Sequence, residues 1–151
     1  TEDQGWAAYF VIASLFGWPI TIYGDGKQVR DILYVDDLVR AFDMARQNIA
    51  TTAGQVYNIG GGQANTIAIW HEFGPLLSRL VGRDIPVTHM DWRPGDQKVY
   101  ISDHSKATRD FGWTPAISSI DGIERLLNWV KDNLSLFKSP RLVNEQEAVS
   151  E

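Results

Sequence analysis

Cysteine is absent from the 151 residues, which excludes a disulfide framework, a thiolate nucleophile and any zinc or iron–sulfur site built on sulfur. A reducing, cytoplasmic setting is the matching expectation. Positive charge is also scarce: 14 Lys and Arg stand against 19 Asp and Glu, for a net charge of −5. No broad positive field is available to displace counterions from a nucleic-acid polymer, although local arginines can still hold small anions. Long apolar runs are missing as well. The longest, Ala7 to Ile20, is broken by Ser14 and Gly17 and falls short of the roughly 20 residues that cross a bilayer, so neither a membrane segment nor a signal peptide is expected. The chain opens on Thr1 rather than Met, which fits a processed product or a piece of something longer. What is present suits a packed domain: six Trp, five Tyr and six Phe can fill the core of a chain this size. Residues 1–138 read as that domain. In residues 139–151 only Leu142, Val143, Ala148 and Val149 are apolar, and the expectation there is a disordered tail.

Periodicity predicts an α/β arrangement. Residues 6–16 are apolar nearly all round and stop at Gly17, with Pro19 beyond, which predicts a buried helix. Ile20 to Tyr23 and Val29 to Val35 read as extended segments around the turn Gly24-Asp25-Gly26. Asp36 is expected to cap a helix that buries Leu38, Ala41, Phe42, Ala45 and Ile49 and turns Arg40, Asp43 and Arg46 to solvent. Val56 to Ile59 reads as a strand running into Gly60-Gly61-Gly62, with a helix from Thr66 to Val81 stopped by Gly82. Ile85 to His89 and Lys98 to Ile101 are strand candidates. Asp103 caps a short helix ending at Phe111-Gly112, and Ser118 or Ser119 caps a last helix that buries Ile123, Leu126, Leu127, Val130 and Leu134.

Several chemical motifs are approached and missed. Gly24-Asp25-Gly26-Lys27 lacks the spacing of a phosphate-binding loop and has Gln28 where a magnesium-binding hydroxyl belongs, so a turn is favoured. Gly60-Gly61-Gly62 could cradle an anion with its backbone N–H groups, but not at the dinucleotide spacing. His71-Glu72 begins like a zinc-protease helix, yet Pro75 replaces the second ligand. Ser102, Asp103 and His104 are consecutive, and a catalytic triad needs side chains converging from separate elements. His89 has no companion ligand. No metal site is expected.

Arg30 and Arg93 stand apart by their surroundings. Arg30 interrupts an apolar run and Arg93 opens a turn stiffened by Pro94 and loosened by Gly95. Two converging guanidinium forks would neutralise and orient a diphosphate. The competing reading is surface ion pairing, of Arg30 with Asp31 and of Arg93 with Asp91 or Asp96.

Five stretches decide between these readings. Ile22-Tyr23-Gly24-Asp25-Gly26-Lys27-Gln28-Val29-Arg30-Asp31, Tyr34-Val35-Asp36-Asp37, Tyr57-Asn58-Ile59-Gly60-Gly61, Arg93-Pro94-Gly95-Asp96 and Phe111-Gly112-Trp113-Thr114-Pro115 follow one another in the order seen in extended short-chain dehydrogenase/reductases that act on nucleotide sugars. The chain resembles that family over about residues 1–131. Thr1 to Trp6 and Asp96 to Tyr100 resemble most the CDP-paratose (CDP-tyvelose) 2-epimerases within it. The resemblance implies an α/β fold that is the C-terminal part of an extended Rossmann-type epimerase, lacking the N-terminal dinucleotide-binding half. It implies that Arg30 and Arg93 hold the diphosphate of a nucleotide sugar and that Asp96 accepts hydrogen bonds from the ribose diol, a role an acceptor-only carboxylate suits. Thr21 and Tyr23 would lie along the base, and Asn58 is carried over as a weaker substrate contact that could equally be a buried amide satisfying its own turn.

The resemblance further implies NAD as cofactor in the complete enzyme, which oxidises a sugar carbon transiently to a ketone and returns the hydride to the other face. The glycine fingerprint and the Tyr-x-x-x-Lys pair that serve this chemistry have no match here. Tyr23 is followed by Lys27 only across a glycine turn, not along a helix. No residue of this chain is therefore assigned to catalysis or cofactor binding, and the chain alone is expected to be catalytically silent. Expected partners are a nucleoside diphosphate sugar, the missing N-terminal half and a second copy in a homodimer. A 4-epimerase, a 4,6-dehydratase of the same family and a non-catalytic nucleotide-binding module remain alternatives.

Overall fold

The computed structural model describes residues 5–137; the tail expected over residues 139–151 lies outside them. Helix α1 (Trp6–Phe16) buries Phe10 to Ser14 without a polar stripe, as a segment apolar on every side must. Its Ser14 hydroxyl donates to the Val11 carbonyl at 2.8 Å. After the stop at Gly17 come β1 (Ile20–Tyr23) and β2 (Val29–Asp31), then α2 (Val35–Gln47) and a single helical turn, α3 (Ile49–Thr52). A 3-10 turn (Gln63–Asn65) leads into β3 (Thr66–Ala68) and α4 (Phe73–Val81), followed by β4 (Val87–Met90) and β5 (Val99–Tyr100). Helices α5 (Ser105–Phe111) and α6 (Ser119–Asp132) complete the order.

The two extended segments around the glycine turn do form, the second only over Val29–Asp31 because Val35 already opens α2, but they part company. β1 pairs in parallel with β4, from Ile20 opposite Val87 to Tyr23 opposite Met90. β2 lies between β3, antiparallel, and β5, parallel. The turn is held away from a hairpin path by other partners: the Gly26 carbonyl accepts from the backbone N–H of Trp70 and of His71. One large core gathers Phe10, Val11, Ile20, Ile22, Phe73, Leu77, Ile123, Leu127 and Val130 between α1, α4, α6 and β1. A second, smaller one joins Ala41 of α2 to Ala107, Phe111 and Trp113.

Helix ends follow the sequence at several places. Gly17, Gly82 and Gly112 close α1, α4 and α5 in the left-handed conformation. Ser118 accepts from the Asp121 N–H at 3.1 Å, a side-chain cap of the expected kind. Asp103 accepts from the Ser105 N–H at 2.9 Å but stands one residue before His104, the N-cap of α5, so the cap expected of Asp103 is not made.

Five expectations are corrected. Val56 to Ile59 is not a strand, because no neighbouring strand among the described residues offers it a ladder; instead Lys106 Nζ donates to the Val56 carbonyl. The helix expected from Thr66 begins only at Phe73, since Thr66 to Ala68 pairs with β2 and Pro75 is tolerated only in a first helical turn. Asp36 does not cap α2, which starts one residue earlier without a side-chain cap. On that helix Phe42 is 68% exposed and Ile49, just beyond it, 62% exposed, while Arg40 turns inward. In α6 the inward face holds, but Leu134, past its end, is exposed. No helix of the described residues is long and apolar enough to cross a membrane.

Candidate functional site

One cleft of about 220 Å³ opens between α1, the ends of β1 and β2, and the loop that joins β4 to β5. Thr21, Tyr23, Arg30, Arg93 and Asp96 all line it, opposite an aromatic wall of Trp6, Tyr9 and Phe10. Five of the six residues singled out from sequence thus meet in one place. Asn58 does not: it is exposed in the segment after α3 and is not among the residues lining the cleft.

Alternation along the strands explains how Thr21, Tyr23 and Arg30 arrive there. Ile20 and Ile22 point into the core and are almost fully buried, which sends Thr21 and Tyr23 to the other face of β1. The turn after Tyr23 is tight. Gly24 has φ +83°, and a Cβ there would stand 2.7 Å from the Trp92 ring, so both its conformation and its bare α-carbon are required. This contact seats the 91–96 loop against the turn and delivers Arg93 and Asp96 to the cleft.

The polar groups are tied together. Arg30 Nη2 donates to Asp96 Oδ1 at 3.2 Å, and its Nη1 donates to the Val29 carbonyl at 2.9 Å. The Arg93 guanidinium lies over the Tyr23 ring, 3.7 Å from its centroid, a stacking geometry open to a planar cation. Gln28 is 2% exposed. Its Nε2 donates to the Tyr23 carbonyl at 2.6 Å and to Asp96 Oδ2 at 3.3 Å. The ion pair of Arg30 is therefore with Asp96, not with the neighbouring Asp31, and the Tyr23 face covered by Arg93 is already occupied. Two arginines, an acceptor-only carboxylate and aromatic surface in one cleft make an arrangement able to take an anionic ligand with hydroxyl donors.

Asp31 explains the glycine triplet. Its Oδ2 accepts from the Gly62 N–H at 2.8 Å and from the Ser102 hydroxyl. A Cβ on Gly60 would meet Ser102 Oγ at 2.0 Å, and one on Gly61 would meet the Ile32 carbonyl at 2.1 Å. The anion held near these glycines is the chain's own carboxylate. The other near-motifs stay unassembled. Asp25 accepts from the Lys27 N–H at 3.0 Å, as a turn residue does. His104 Nδ1 lies 3.3 Å from the Thr108 hydroxyl, away from the Ser102 bond to Asp31, and His89 Nδ1 lies 3.2 Å from the Gly24 carbonyl. No cluster among the described residues could hold a metal ion. The glycine triplet is thus filled from within by Asp31.

Sequence reasoning missed two groups. In the sequence Gln28 stands out only as the residue that spoils a phosphate loop. Asp37 is 1% exposed and accepts from Arg40 Nη2 at 2.5 Å and from the N–H groups of Ala116 and Ile117, each at 2.9 Å. Burial pushes its carboxyl up, but the Arg40 guanidinium and the two backbone donors outweigh it and hold the carboxyl below its ordinary value. The signal was the Asp37/Arg40 spacing of three on a helix.

Comparison with known proteins points to one family. Residues 2–60 match the NAD dependent epimerase/dehydratase family. The chain is 34% identical over 134 residues to CDP-paratose 2-epimerase of Salmonella typhi, covering 85% of this chain and 39% of that protein. To dTDP-glucose 4,6-dehydratase of Neisseria gonorrhoeae it is 32% identical over 133 residues, covering 82% and 38%. The crystal structure of UDP-glucose 4-epimerase with UDP-glucose from Thermotoga maritima superposes with a TM-score of 0.75 at 32% identity, over 86% of this chain and 40% of that one. The chain spans about two-fifths of the length of the curated relatives it matches. With its α/β fold and its cleft, the chain is similar to NAD-dependent epimerases and dehydratases, whose family its residues 2–60 match.

Proposed function

We propose that the chain is the C-terminal, nucleotide-sugar-binding portion of an NAD-dependent nucleotide-sugar epimerase of the CDP-paratose 2-epimerase kind. The observation that carries this reading is the meeting of Arg30, Arg93 and Asp96 on one cleft. In it the arginines hold the diphosphate, Asp96 accepts from the ribose diol, and Thr21 and Tyr23 border the base. NAD and the groups that move the hydride and proton belong to the rest of the enzyme, which works in the cytoplasm as a homodimer. This portion supplies binding energy remote from the reacting carbon, and such energy positions the sugar. Asn58 stands outside the cleft and has no substrate role in this reading.

Calorimetric titration of the full-length protein with CDP and UDP tests the clamp. Arg93→Ala is expected to weaken binding by about 10-fold or more, as loss of a charge-assisted bond to phosphate does; undiminished affinity rejects the clamp. Similarity to a 2-epimerase and to a 4,6-dehydratase at nearly equal identity supports a second reading, a sibling reaction on the same anchor. Product analysis on CDP-, UDP- and dTDP-sugars separates the two.

A further inference from the structure

Gln28 is an expensive choice for a buried position. Its side chain is almost wholly enclosed, yet its Oε1 finds no hydrogen-bond partner. A group placed there for packing alone would be apolar, because an amide oxygen without a donor loses its hydration and gains nothing. The amide cannot be turned over to relieve this. Both neighbours of Nε2, the Tyr23 carbonyl and Asp96 Oδ2, are acceptors, so the NH2 group must face them.

The consequence falls on Asp96. One carboxylate oxygen is held by Arg30 and the other by Gln28, so the plane of the carboxylate is fixed from two sides. Through the same nitrogen, Gln28 also fastens the end of β1 to the loop that bears Arg93. We propose that Gln28 is a positioning residue: by donating to Asp96 it fixes the orientation of that carboxylate for a vicinal diol. The inference rests on the anchoring role proposed for the cleft, and its own test is separable from that role.

A double-mutant cycle reads it, with CDP and UDP titrated into the full-length protein. Gln28→Met is expected to weaken binding by about 5-fold or more, Asp96→Ala by more, and the double variant by no more than Asp96→Ala alone, because a residue that acts through Asp96 has nothing left to act on. Additive losses, or no loss in Gln28→Met, overturn the proposal. A Gln28→Met variant that fails to fold leaves Gln28→Glu as the decisive case. There a second carboxylate faces Asp96 beneath Arg30 and Arg93, so the two acids share a proton. Its affinity, taken relative to the native protein at each pH to cancel the titration of the phosphate, is expected to fall about 10-fold at pH 8 and to recover toward pH 5. A pH-independent ratio overturns the proposal. Failure of the native protein to bind either nucleotide counts instead against the anchoring role.

Discussion

The two cores of this chain differ in how far they are closed. Around Phe73, Leu77 and Val130, helices α1, α4 and α6 cover β1 on their own, and each of those three residues has 0% exposure. Around Ala41 and Trp113 the packing is one-sided. α2 turns Ala41 and Asp37 inward, but Val35, Val39 and Phe42 stand in solvent on its other side, joined by Ile49 and by Val56 at 82% exposure. A helix apolar on two faces is made to lie between two layers, and only one of them is among the described residues. The closed region carries most of the cleft. The open region has the character of a surface meant to be covered, in keeping with a chain that spans two-fifths of its relatives.

This contrast can be tested by breaking each side. The largest effect is expected in the closed core: Leu77→Ala should cost about 2–5 kcal/mol of stability, the range for deleting a fully buried leucine, read by urea denaturation. A loss near zero would mean the large core is loosely packed. Next comes the joint between the regions. Asp37→Asn leaves a single acceptor oxygen where Arg40 and two backbone N–H groups now share two, and should cost about 1–3 kcal/mol, as leaving a buried donor unsatisfied does. Its pH dependence has a definite sign. A carboxyl whose folded value is lowered gives its full stabilisation above its unfolded value, about 3.9, and loses it as pH falls through the lowered value. The native protein should therefore lose stability more steeply than Asp37→Asn below about pH 4; parallel acid limbs would contradict this. The smallest stability effect belongs to the open face. Phe42→Ser should change stability by no more than about 0.5 kcal/mol while reducing self-association of the isolated chain in sedimentation. A large destabilisation there would erase the contrast.

The helices were legible where their periodicity met an end signal: α1, α5 and α6 fall close to their expected bounds because the Gly17 and Gly112 stops or the Ser118 cap mark them. Pairing was not. Which strand Ile20–Tyr23 joins depends on contacts with residues 87–90, and local composition carries no record of a partner that distant. The face of α2 was misread for a related reason, since apolar spacing shows that a side chain seeks cover but not which layer supplies it. In the cleft, Arg30 and Arg93 were visible as charges in unusual settings. Gln28 was not, because a neutral amide gains its importance only from the two acceptors that fold against it.

In the proposed anion clamp, the stacking of Arg93 on Tyr23 has a consequence for speed and selectivity of capture. A guanidinium already leaning on a ring has given up much of its torsional freedom before any ligand arrives, so engaging an anion imposes little new ordering. A lysine at the same position would keep the charge yet sweep through solvent, and would have to be stilled afresh at every encounter.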